Sequence, residues 1–426
     1  MGRPGEKLRF IRSNMLTDSL GNPVTLTDSS GLGAVNDFVE GVIACEARAV
    51  NVLDLAAHDP SAIVLAYCAA LHMFAESRNA PSNARPFLDK ALRAIDANPA
   101  ISTRERRFVA AIAAWVAGDT QRAGVLHEEQ TGEFPRDLAS LKLGQYHRFN
   151  AGDAPGMLRQ ALAAEHAAAD VPYFHGMLAF GYEQCHQLDR AETSARRGIQ
   201  LCRKEPWAHH AVAHVMLTKR RNQEGHDFMV DVSDTWTGLN SFMLTHNWWH
   251  QALFAIELQN FDEALRLYDN RIWGVVKSYS QDQVNAVSLL SRLELRGLDV
   301  GERWQDVATY LVARTADQVS PFLDLHYLYG LARAGKVEAD ELMQNIETHA
   351  QARALTEPIW QRVAVPAARG LLAHARGNFN AAADCLVKAL PEMNAVGGSH
   401  AQRDWFEQVY QHAAKRRREP PHKSTP

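Results

Sequence analysis

Cysteine is scarce in this 426-residue chain. The five residues, Cys45, Cys68, Cys185, Cys202 and Cys385, are scattered, odd in number and never spaced as CxxC. A disulfide framework is therefore not the reading, and buried reduced thiols in a reducing compartment fit best. A dominant charge sign is missing too. The formal net charge is −4, so no global field draws the chain to nucleic acid or to an anionic membrane. No stretch reaches the roughly 18 consecutive apolar residues of a membrane-spanning helix. The opening stretch MGRPGEKLRFIRSNMLTDSLGNPV has neither the apolar run of a signal peptide nor the Ser or Thr that myristoylation requires at its sixth position. The expected location is the cytoplasm, without nucleic-acid or membrane partners. Period-two runs flanked by hairpin turns are nearly absent. Also absent are HExxH, GxSxG, GxxxxGK[ST] and a GxGxxG following a strand, so the familiar zinc-peptidase, esterase and nucleotide-binding signatures do not apply.

What is present is repetition. In WVAGDTQRA, FNAGDAPGM and EQCHQLDRA, Gly118 and Gly152 lie 34 residues apart, and His186 falls in the same slot another 34 on. Ala191 to Gly225 is again 34, whereas Gly225 to Ala264 is 39, which implies a local insertion. A glycine at the turn ends a first helix without a Cβ penalty. A small residue five positions later lets a second helix approach the first. Pro60, Pro99, Pro135, Pro172 and Pro206 punctuate the units near where second helices should end. This pattern resembles the tetratricopeptide repeat, most strongly in WWHQALFAIELQNFDEALRLYDNRI, where Trp248, Ala252, Phe261, Ala264 and Tyr268 take the spacings that repeat uses for internal packing. The resemblance implies an all-α, right-handed solenoid of about ten to twelve helix pairs. It would cover residues 35–415, after an N-terminal extension (1–34) and before a basic, solvated tail (416–426). A stack of this length can curl until its ends approach, turning its concave groove into an enclosed cavity.

Read in order, WAHHAVAHV, HNWWHQALF, LYDNRI, SLLSRLELRGLDVGERWQDV, FLDLHYL and GGSHAQRDWF resemble the tetratricopeptide repeat protein 38 family across essentially the whole chain. The family implies an all-helical solenoid and supplies no established reaction. Its pattern has acids at the positions of both Asp282 and Asn285. Asn285 departs from it, which puts in doubt any mechanism needing two carboxylates on that helix.

The chemistry-bearing residues are two HxxxH pairs, His210/His214 and His246/His250. Residues four apart share a helix face, and first helices of adjacent repeats run side by side at about 8–10 Å. Four imidazoles can thus converge, in a set that suits zinc, nickel, copper or iron. Asp324 and His326 would complete or orient such a set. Asp282 or Glu183 would act as a base, and Tyr268 or Arg292 would stabilise negative charge. The blander alternative stays open: histidines and Trp249 as groove packing, Asp282 and Asp324 as first-turn acids favoured by the helix dipole. Ser399 reads as a cap for the last helix, with Arg403 and Asp404 tying that helix to the preceding repeat.

Two functions follow. One is a solenoid that binds a peptide or small ligand in a groove rich in His, Trp and Tyr. The other is an enzyme, a hydrolase or lyase on a small molecule, dependent on a divalent transition metal.

Overall fold

The computed structural model describes residues 16–418. The expected features of the first 15 residues, and the basic tail beyond Arg418, lie outside them. Among the described residues the chain forms 21 α-helices and one small hairpin, Leu16–Thr17 against Pro23–Val24 with Leu16 opposite Val24. Neighbouring antiparallel helices stack along the chain as an all-α helical-repeat solenoid.

One local device generates the repeat. The second residue past the first helix of a repeat is left-handed: Gly118 (φ 85°), Gly152 (69°), His186 (56°), Arg220 (56°), Gln259 (60°), Gly297 (88°), Gly335 (67°) and Gly377 (77°). The next residue's amide then reaches back five positions, as in Asp119 to the Ala114 carbonyl (2.9 Å) and Asn260 to that of Ala255 (2.8 Å). That closes the helix end. The same next residue opens the second helix, since the side chains of Asp119, Asp153 and Asn260 accept from the amides of Arg122, Gly156 and Glu263. Gly-Asp is thus a C-cap and an N-cap in two residues. In the second helices Ala123, Ala191 and Ala264 are buried. At Gly225 a Cβ would lie 2.2 Å from the Phe254 ring, so the small residue is what permits close helix approach. The prolines lie between units, and Pro172 and Pro206 occupy the first turn of the next helix, where a missing N–H costs nothing.

The stack curls until distant repeats touch. Glu76 accepts from Ser280 Oγ (2.6 Å) and Gln281 Nε2 (2.7 Å). The Arg78 amide donates to Asp317 (3.1 Å), and His400 Nε2 donates to the Gln184 carbonyl (3.2 Å). The last helix, His400–Arg418, returns against Ser280–Leu295. There Trp405 Nε1 donates to Ser291 Oγ (2.8 Å) and Arg292 donates to the Ala401 carbonyl (2.6 Å). The insertion implied by the 39-residue step is Ser233–Thr235 and the loop after it. Gly238 and Asn240 pair with Ala47 and Cys45 (Ala47 N to Gly238 O 2.9 Å, Asn240 N to Cys45 O 2.8 Å), and Lys204 bridges to Glu46 (2.5 Å). The extra residues fasten the middle of the solenoid to its beginning. At the N-terminus, residues 16–31 are docked rather than free: Thr25 donates to Glu105, and Arg104 donates to the Pro23 carbonyl.

Candidate metal centre and adjoining cavity

Two inner helices carry the histidines. Pro206–Thr218 begins with proline in its first turn and with Glu205 accepting from the Ala208 amide. Ser241–Glu257 is capped by Asn240, which accepts from the Met243 amide (2.9 Å). The helices lie side by side, and all four imidazoles are buried in the seam. Ring centroids are 4.9 Å apart for His210–His250, 4.6 Å for His214–His250 and 4.8 Å for His246–His250. One nitrogen from each ring falls within 4.8 Å of the others, and His210 Nε2 is 3.0 Å from His214 Nε2. A tetrahedral ion with ~2.0–2.1 Å bonds needs nitrogens about 3.4 Å apart, a separation these distances bracket.

The environment sets which nitrogens face inward. Asp282 accepts from Thr245 Oγ1 (2.9 Å), from Ser241 Oγ and from the Val276 amide (3.2 Å). With its proton given to a carboxylate, Thr245 accepts from Asn285 Nδ2 (3.3 Å). That orients Asn285 Oδ1 toward His246 Nδ1 (2.9 Å), so Nδ1 carries the proton and Nε2 keeps its lone pair for the centre. Behind the opposite corner, Glu183 Oε1 lies 3.4 Å from His214 Nδ1. Burial pushes the Glu183 carboxyl up, but His214, with His400 and Gln184, outweighs it and holds the group below its usual range. His250 has no hydrogen-bond partner at either ring nitrogen, and His210 and His214 have none at Nδ1, the Glu183 approach being a close charge contact and not a hydrogen bond. Burial lowers His246 to about 3. Burial and the neighbouring imidazoles push His210 and His250 well below the ordinary histidine value. These three are neutral near pH 7, the form that ligates metals.

Aromatic rings enclose the quartet. His246 stacks on Trp249 (5.1 Å, 10° between planes) and on Phe242 (5.1 Å, 26°). Phe180 packs against His210 and His214, and Trp207 stacks on His210 at 4.6 Å. His210 and His246 also line a cavity of about 430 Å³ inside the curl. Apolar and aromatic groups such as Leu71, Phe74, Phe149 and Phe242 dominate its wall, and exposed Val50 marks an opening.

The other sequence candidates separate. Glu183 and Trp249 touch the quartet. Asp282 stands two side chains behind His246 instead of facing the cavity. Arg292 engages Ser288 and Ala401 and lies over Trp249 (5.6 Å). Its positive charge works against His250 protonation. His326 donates through Nδ1 to its own helix at the Phe322 carbonyl (2.7 Å) and packs on Trp405 (4.5 Å). Asp324 accepts from Gln318 (3.2 Å), and burial holds its carboxyl well above the usual range. Neither joins the converging set. Tyr268 is buried elsewhere, beside Asp306, Asp269 and Arg303. Ser399 does cap the last helix, where its Oγ accepts from the Gln402 amide (3.3 Å). Arg403 turns back onto Gly398 and His400 of its own segment.

No chemistry-bearing motif marks Lys142, Phe180 or Trp207 in the sequence. A register signal for Lys142 did exist. It precedes the left-handed residue of its repeat, Gly152, by the same ten positions that separate His210 from Arg220. No protein-family model matches the chain, which leaves its function to be argued from this site.

Proposed function

We propose that the solenoid holds one divalent transition-metal ion with His210, His214, His246 and His250, and presents it to a small organic ligand in the adjoining cavity. The supporting observation is the convergence of four buried imidazoles around His250, whose two nitrogens have no other partner. Leaving buried polar atoms unsatisfied costs about 1–3 kcal/mol each, and coordination removes that cost at the one nitrogen of His250 that ligates. Asn285 behind His246 is the outer partner that orients a ligating imidazole, and the Glu183 carboxylate stands 3.4 Å behind His214. A cavity of about 430 Å³ suits a small molecule better than a peptide segment.

The same placement gives the enzyme reading, a hydrolase or lyase, a specific footing. A sealed structural ion would have no ligands on a cavity wall, whereas His210 and His246 are on one. An ion accepting more than four ligands would keep positions toward the cavity for an oxygen of the substrate and polarise it. Glu183 and Asp282, the candidate bases of that reading, both lie behind the histidines.

Elemental analysis of untagged protein, prepared without chelators, tests the proposal. About one transition metal per chain is expected, together with a metal-dependent rise in melting temperature that His250→Ala abolishes. Metal-free protein whose melting is indifferent to zinc, nickel, cobalt and manganese would sink it.

A further inference from the structure

Glu46 and Glu76 line the cavity, and both are fully engaged. Glu46 bridges Arg48 (2.6 Å) and Lys204 (2.5 Å). Glu76 accepts from Tyr146 Oη (2.9 Å), Ser280 and Gln281. Neither offers charge to a ligand. Lys142 is different. It is the one lysine or arginine among the lining residues, and its Nζ is buried with no hydrogen-bond partner. The ammonium sits 3.5 Å from the centroid of the Trp207 ring, a cation–π contact that supplies part of the lost hydration. Among the described residues no carboxylate pairs with it. Glu205, the carboxyl that acts on it electrostatically, is pushed up to about 8 by burial and spends one oxygen on the Ala208 amide. Trp207 stacks in turn on His210, so Lys142 and the metal centre are neighbours on one wall.

An ammonium with three donors, buried in an aromatic chamber without an acceptor, fits a ligand that brings the acceptor with it. We infer that the cavity takes a molecule with an apolar, aryl-sized body and a carboxylate, and that Lys142 Nζ donates to the carboxylate. This rests on the cavity half of the proposed function, that the chamber is a ligand site, and not on the metal. Burial lowers Lys142 from its ordinary value, and an incoming anion opposes that shift by stabilising the charged form.

The test uses three probes of one shape, 4-phenylbutyrate, 4-phenylbutan-1-ol and 4-phenylbutylamine. Each is titrated calorimetrically into the full chain as isolated and after chelator treatment. The acid should bind about tenfold or more tighter than the alcohol, a typical gain for a charge-assisted hydrogen bond. Lys142→Met should bring acid and alcohol to the same affinity, and Lys142→Arg should keep part of the preference. The fold of each variant is checked by its melting curve. The preference should also survive removal of metal. The inference is overturned if the alcohol or amine binds as well as the acid, if Lys142→Met leaves the preference intact, or if the acid's advantage disappears with the metal alone, which would put the anion on the ion. Absence of saturable binding by any probe up to millimolar concentration also overturns it. Metal content is measured on the same samples, so a failure of the metal reading is recognised separately.

Discussion

Among the described residues, buried histidines meet other histidines in three places along this solenoid, and the three are not alike. His127 and His147 stack at 5.8 Å with planes 16° apart, and His127 Nδ1 is satisfied by Ser140 Oγ (2.7 Å). His374 bridges Tyr329 Oη (3.2 Å) and His412 (2.9 Å). Burial lowers His127 and His374 to about 3, as it does His246, so a depressed value does not by itself mark a ligand set. What separates the quartet is number, convergence on one point, an amide holding one ring from behind and a carboxylate close behind another, and a wall shared with a cavity. Packing alone explains the pairs. It does not explain His250, which has a second histidine above, another beside it and nothing to bond.

The sharpest way to break this comparison is to load metal. His250→Ala and His214→Ala should each lose the metal-dependent stabilisation, worth about 3–4 kcal/mol when free metal exceeds the dissociation constant 100- to 1,000-fold. His127→Ala and His374→Ala should melt lower for want of packing yet keep the full metal increment. Differential scanning calorimetry with and without added metal reads both. If His127→Ala loses the increment as well, the distinction between quartet and pairs is false.

Acid sharpens it from the other side. An unfolded histidine titrates near ~6.5, while His127 and His374 in the fold are lowered to about 3. Between those values the unfolded chain binds the extra proton. Stability is therefore fully present above the unfolded value and falls as pH drops through the window, by up to about 1.4 kcal/mol per pH unit for each such group. His127→Gln and His374→Gln should flatten the loss measured by denaturant melts from pH 6.5 toward 4.5. An unchanged slope would mean that neither histidine is held neutral by the fold.

The relay behind His246 allows a finer cut. Thr245→Val removes the hydroxyl that fixes the Asn285 amide, and so releases the tautomer of His246. Loss of an outer partner of this kind typically weakens metal affinity about 10–100-fold. Ser140→Ala makes the corresponding change behind His127 and should leave metal affinity where it was, as competition with a chromophoric chelator would show. Equal affinity in wild type and Thr245→Val would remove the relay from the account.

Part of this was legible in the sequence, for identifiable reasons. The repeat could be read because Gly118, Gly152 and His186 mark a backbone requirement, and a backbone requirement recurs at a fixed step. The two HxxxH pairs could be read because four residues is one helical turn. The 39-residue step announced an insertion, though not that Gly238 and Asn240 would fasten to Ala47 and Cys45. Positions set by curvature stayed hidden. Asp324 is taken locally by Gln318, six residues before it, and the curl carries His326 against Trp405. Lys142 meets the quartet only because repeats two steps apart face one chamber, and a lone lysine in LASLKLGQYH carries no local pattern. Asn285, where the resemblance expects an acid, has a role visible only with its neighbours present: an amide can accept from His246 and donate to Thr245 at once.

The smallest effect concerns a histidine with no ligand role. His186 takes the left-handed slot at φ 56°, with its side chain exposed beside His400 (ring centroids 4.2 Å apart). A residue with a Cβ is strained there by about 1–2 kcal/mol, and glycine relieves that while adding some unfolded-state entropy. His186→Gly should therefore gain about 0.5–1 kcal/mol, less whatever the contact with His400 contributes. Gly118 occupies the same slot two repeats earlier, with nothing within 4 Å of a built Cβ. Gly118→Ala thus meets only the backbone term and should lose about 1 kcal/mol. Urea denaturation of the two variants gives opposite signs if the slot sets the cost. If His186→Gly instead destabilises the chain, the contact between His186 and His400 outweighs the strain. His186 would then join the packing pairs, and the rule that separates them from the quartet would have to include exposed histidines.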